Sequence, residues 1–83
     1  LTGNKFYYHE IIGFDVVDKN LGEVGSVLAI NEHTAQATIE VSIGHKTALI
    51  PIVDDIILEV KRDTKSIYVE TPPGLIELYT KNA

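Results

Sequence analysis

Cysteine, methionine and tryptophan do not occur in this 83-residue chain. Without thiols there is no disulfide staple, no thiolate metal site and no cysteine nucleophile, so the fold has to hold by packing alone. That composition is compatible with a reducing cytosol. Basic residues are also few: seven Lys and Arg stand against twelve Asp and Glu, a formal net charge of −5. Such a surface repels phosphate backbones unless a basic patch overrides it, and the one dense basic pair is Lys61–Arg62. A basic protein is a better partner than nucleic acid. Long apolar runs are missing too: none approaches the ~20 residues of a membrane span, and no charged-then-apolar signal segment opens the chain. Residues 1–4, "LTGN", read as a linker remnant ahead of one domain at 5–83, and the missing initiator methionine makes an excised, soluble domain the expectation. A domain of this size buries only ~60–65% of its unfolded surface, which permits one core but no deep cleft.

What is present is mostly strand signal. In "AQATIEVSI" the residues Ala35, Ala37, Ile39, Val41 and Ile43 alternate with polar ones, so a strand with one buried face is expected there. The preceding "EVGSVLAINE" is rich in β-formers and bounded by turn-like "DKNLGE" and "NEHTAQ"; it should pair antiparallel with its successor. Gly44-His45 makes a tight connection into "KTALIPIVDDIILEV", which Pro51 should divide into two strands around an irregular "VDD" corner, because proline cannot donate to a central ladder. "KRDTKS" is a turn, "IYVE" a short strand ending at "TPPG", and only "GLIELYTK" has helical spacing, through Leu75, Leu78 and Tyr79. Together these predict an all-β fold: a small antiparallel, partly open β-barrel of five to six strands with a short C-terminal helical turn.

Three of the six aromatic residues stand side by side as Phe6, Tyr7 and Tyr8. Neighbouring side chains cannot all enter one small core, so at least one ring is left outside. In an extended segment Phe6 and Tyr8 share a face and Tyr7 points away. The rings either plug one end of the barrel or offer an anchor to a partner. His9 adjoins them and is either a surface filler or part of the same contact. His33 and His45 fall at turns, and the three histidines lack the spacing of a zinc site. Asp54-Asp55 fits a turn, a contact with a basic chain, or a metal site, but no Asp-rich calcium loop surrounds it. "GEVG" at 22–25 precedes a strand rather than a helix, so its glycines serve a hairpin and not a phosphate. No serine has a triad or elbow context, and the inward set Ala37, Ile39, Val41 and Ile43 leaves no polar, ligand-sized interior. No enzyme activity and no cofactor are expected.

The order "FYYHEIIGFDV", "LGEVGSVLAI", "ALIPIVDDIILEV", "IYVETPPGLIEL" resembles the PRC-barrel domain at the C-terminal end of the RimM ribosome maturation factors. The likeness covers roughly residues 5 to 79, and its matching positions include Phe6-Tyr7-Tyr8, His9-Glu10, Gly25-Ser26-Val27, Leu49-Ile50-Pro51 and Pro72-Pro73-Gly74-Leu75. Phe6 departs from the family's more usual Tyr. The resemblance implies a module that works beside an N-terminal barrel domain, absent from this chain. It also implies binding to small-subunit ribosomal protein nineteen on the immature 30S subunit, with rRNA contact mainly indirect or through the other domain. Phe6, Tyr7, Tyr8, His9, Asp54 and Asp55 are the implied partner-binding residues. A free-standing PRC-barrel scaffold for another protein is the alternative.

Overall fold

The alternation in "TIEVSI" is realised as a strand that buries Ile39 and Val41 completely and leaves Glu40 on the other face. In the computed structural model, which describes residues 6–33 and 35–80, six strands follow one another: β1 (Asp15–Asp18), β2 (Gly22–Asn31), β3 (Thr38–Ile43), β4 (Lys46–Pro51), β5 (Ile57–Lys61) and β6 (Ser66–Val69). A 3₁₀ turn at Tyr8–Ile11 precedes them and a short helix, α1 (Leu75–Thr80), ends the described chain. Residues 1–4 and the side chain of Tyr79 lie outside the described parts. Among the described residues no helix is long and apolar enough to cross a membrane.

The strands form one sheet in the order β4-β3-β2-β1-β6-β5. Strands consecutive in sequence pair antiparallel in β1–β2, β2–β3, β3–β4 and β5–β6. The exception is β1–β6, which is parallel, with Asp15 opposite Ser66 and Asp18 opposite Val69. One side of β1 is taken by its hairpin partner β2, so the other is filled from the far end of the chain. The irregular segment after Pro51 carries the chain across, and the direction in which it returns makes the pair parallel. The sheet is not closed: β4 and β5 remain as edges, and α1 packs against β4. Pro51 ends an edge strand, where its missing N–H costs no central ladder bond.

Two of the expected stripes are shorter or shifted. Ala35 is exposed and lies in a bend before β3, while Ala37 and Ile43 are only half-buried. The Gln36 side-chain amide donates to the Ala37 and Ile52 carbonyls at 3.1 and 3.0 Å, and the Ile52 N–H donates to the Ala37 carbonyl at 3.0 Å; these bonds close the strand's start. Among the described side chains of α1 the buried one is Ile76 at 7% exposure, whereas Leu78 stands 73% exposed. The register also slips at three points. Each slip leaves one extra residue: Val24 opposite β1, Leu28 opposite β3 and Leu58 opposite β6. Such bulges re-aim side chains, which is why Leu28 and Leu58 face solvent inside otherwise apolar strands. Gly25 permits the tight coil of β2 on β3, since a Cβ there would overlap the Ser42 carbonyl oxygen. Gly44, at φ +61°, takes the left-handed position of the two-residue β3–β4 turn.

One carboxylate joins the ends of the sheet. Asp18, the last residue of β1, is 1% exposed. One of its oxygens accepts the N–H groups of Asn20 and Leu21 at 2.8 and 3.1 Å, which folds the β1–β2 turn. The other accepts the N–H of Thr71 at 3.0 Å and the Thr71 hydroxyl, which fastens the segment between β6 and α1. Burial alone would raise its pKa, but the Thr71 hydroxyl and N–H, with those of Asn20 and Leu21, outweigh burial and hold it below its ordinary 3.8.

Ile39→Ala is expected to cost ~2–5 kcal/mol in chemical denaturation, because it empties a fully buried site; a loss below about 0.5 kcal/mol would mean that this face is not the core. Asp18→Asn should cost about 1.5–3 kcal/mol, since the replacement amide sets a donor against donors. Between its folded and unfolded pKa the unfolded Asp18 binds the proton first, so its contribution is full above about pH 4 and is lost as pH falls through the folded value. Denaturation at neutral and acid pH should therefore show a smaller acid loss for Asp18→Asn than for the parent.

Candidate partner-binding surface

The aromatic run is divided by backbone geometry. Tyr7 is extended, at φ −85° and ψ 137°, immediately before the 3₁₀ turn. Its neighbours therefore project to one side and its own ring to the other. The rings of Phe6 and Tyr8 lie 6.0 Å apart at 44°, and Phe6 packs on the core. Tyr7 is 71% exposed. Ile11, fully buried at the end of the turn, anchors the whole segment. The Gly13 N–H donates to the Val27 carbonyl at 2.9 Å and the Val27 N–H to the Phe14 carbonyl at 2.8 Å, so the run continues into β1 along β2. His9 sits exposed on the turn.

Glu10 fixes this arrangement from both directions. Its side chain accepts the Tyr7 N–H at 2.8 Å, while its own N–H donates to the Tyr7 carbonyl at 3.0 Å. The same carboxylate takes two bonds from the Arg62 guanidinium, Nε at 2.9 Å and Nη2 at 2.7 Å. The Arg62 bonds first, and the Tyr7 N–H second, lower the Glu10 pKa to about 2 against a small opposing effect of burial. Paired guanidinium–carboxylate bonds are more directional than a simple ion contact, so the turn is held in one orientation against the β5–β6 connection. The Lys61 ammonium, meanwhile, lies 5.2 Å from the centre of the Tyr68 ring. The basic pair read from the sequence thus faces its own domain.

Asp54 and Asp55 are exposed on the turn that begins β5, where the N–H groups of Ile56 and Ile57 both donate to the Val53 carbonyl, at 3.0 and 2.9 Å. Arg62 and the aromatic turn stand beyond the other end of that strand, which itself spans on the order of 13 Å. Phe6, Tyr7, Tyr8 and His9 are therefore brought together, while the aspartates form a separate feature. His33 and His45 are exposed on loops. Two functional-looking groups escaped the sequence: Glu10–Arg62, whose partners are 52 residues apart, and Asp18–Thr71, 53 apart. Only the Asp-x-Asn spacing of a turn hinted at the second.

The family model for the RimM PRC barrel domain matches residues 8–75. The ribosome maturation factors RimM of Flavobacterium psychrophilum and Flavobacterium johnsoniae are 46% and 43% identical over 79 residues, which are 95% of this chain and 45% of each relative. The chain thus spans less than half the length of these curated relatives. Among solved structures, a Pseudomonas aeruginosa protein described as a 16S ribosomal RNA processing protein RimM superposes with a TM-score of 0.72 at 18% identity, covering 81% of this chain and 44% of that one. That likeness is one of fold. With the family model matching most of the chain and relatives above 40% identity aligned over 95% of it, this chain belongs to the RimM PRC-barrel family.

Proposed function

We propose that this domain is the protein-binding module of a ribosome maturation factor, holding a basic small-subunit ribosomal protein while the subunit's head is assembled and its 16S rRNA processed. The observation that carries the reading is Tyr7, a large ring 71% exposed on a turn locked by Glu10 and Arg62. An amphipathic ring with few rotatable bonds, carried on a fixed backbone, loses little entropy on binding, which is why tyrosine is common among interface anchors. The excess of acidic residues favours a basic partner, and the engagement of Lys61 and Arg62 within the domain leaves little for a phosphate backbone. His9 adds a polar rim beside Tyr7, and Asp54 and Asp55 draw positive charge from the other end of β5. The role is one of binding and not catalysis, in the cytoplasm, with rRNA reached mainly through the partner or through parts of the protein beyond this domain. Small-subunit ribosomal protein nineteen is the partner this reading names.

Tyr7→Ala should weaken binding to that protein by about thirtyfold, ~2 kcal/mol, while its melting shows a stability loss below about 1 kcal/mol. Calorimetric titration and melting of the same variant separate the two effects. A variant that melts far earlier yet binds as the parent does would make Tyr7 a packing residue. Free RNA should bind weakly at ~150 mM salt, and tight saturable RNA binding there would reverse the order of partners.

A further inference from the structure

Where β1 ends and α1 begins, a groove of about 290 Å³ opens between the turn that follows Asp18 and the Pro72–Gly74 segment. Its rim is apolar: Leu21 is 55% exposed there, and Pro72 and Pro73 form the facing wall above the buried Ile76. Glu77 of α1, exposed, supplies a carboxylate on the same wall. At the floor, the Asp18 carboxylate is held by N–H and O–H donors, none of them a cation. The adjacent Lys19 ammonium is directed elsewhere, 4.0 Å from Glu70. The groove therefore combines greasy walls with a negative field.

That combination selects a ligand. The volume falls just below the ~300–1,000 Å³ of pockets that enclose drug-sized molecules, and it suits a long side chain with its neighbour. An arginine fits both parts of the groove: its methylenes lie on apolar surface, while its planar head makes paired, charge-assisted bonds to a carboxylate. The walls are also set in advance. Thr71 is fixed by Asp18, the Leu75 N–H donates to the Pro72 carbonyl at 3.1 Å, and the Leu78 N–H donates to the Gly74 carbonyl at 2.9 Å. A pre-formed wall lowers the ordering cost of binding.

We propose that this groove docks an extended segment of a partner protein in which arginine stands next to an apolar residue. The guanidinium meets Glu77, and the apolar neighbour lies on Leu21 and Pro72. The site is independent of the Tyr7 surface, which sits at the start of β1 while the groove lies at its end.

The test is a titration of the chain with the peptide acetyl-Gly-Arg-Leu-Gly-amide, followed by amide chemical shifts. Saturable shifts are expected at Leu21, Thr71, Gly74 and Ile76, and the counterpart acetyl-Gly-Glu-Leu-Gly-amide should bind at least about tenfold more weakly. Glu77→Gln and Leu21→Ser, both at exposed positions and checked for a parent-like spectrum, should each weaken the arginine peptide by roughly fivefold. Tyr7→Ala should leave the titration unchanged. Absence of saturation, equal binding of the glutamate peptide, indifference to both groove variants, or loss of binding in Tyr7→Ala would each overturn the proposal.

Discussion

The buried carboxylate of Asp18 is the constraint on which the architecture rests. A charge removed from water is tolerated only if nearly every lone pair finds a donor, and Asp18 meets that condition with groups drawn from two distant parts of the chain. Because those donors belong to the β1–β2 turn and to the segment before α1, the bonds set where the first hairpin begins and where the last strand stops. Beside the end of the parallel β1–β6 pair, that clasp fastens the Pro72–Gly74 segment that leads into α1 on β4.

Much of the fold is legible in residue patterns because its information is local. The two-residue turn at Gly44-His45, the break at Pro51 and the helical tail each depend on residues within a few positions of one another. The parallel pairing is different in kind. Nothing near Asp15 or Ser66 distinguishes a parallel neighbour from an antiparallel one; the choice is made by how the chain crosses after β4. Bulges are hidden for a related reason. Leu28 and Leu58 continue apolar runs, and only a partner strand that falls one residue short turns them outward.

The candidate surface shows the same division. The outward direction of Tyr7 was readable because three successive rings cannot share a side, a rule that needs no tertiary knowledge. The 3₁₀ turn and its lock were not, since Glu10 and Arg62 carry no mutual signal in sequence and their ion pair exists only after the β5–β6 hairpin arrives. Nor could the sequence tell that Asp54-Asp55 and the aromatic run are separated by the length of β5.

The β1–β6 pairing also bears on how such a domain comes into being on the ribosome. Hairpins β1–β2, β2–β3 and β3–β4 can form as each strand emerges, but β1 keeps one bare edge until Ser66–Val69 has been synthesised. Closing a loop of that length costs entropy before any contact rewards it, and non-local pairings of this kind slow folding. During that interval the unpaired backbone of β1, which carries Val16, fully buried in the finished fold, is a template for strand addition by another nascent chain. The domain is thus an all-or-none unit in time as well as in space, most exposed to misassembly in the moments before its final strand leaves the exit tunnel.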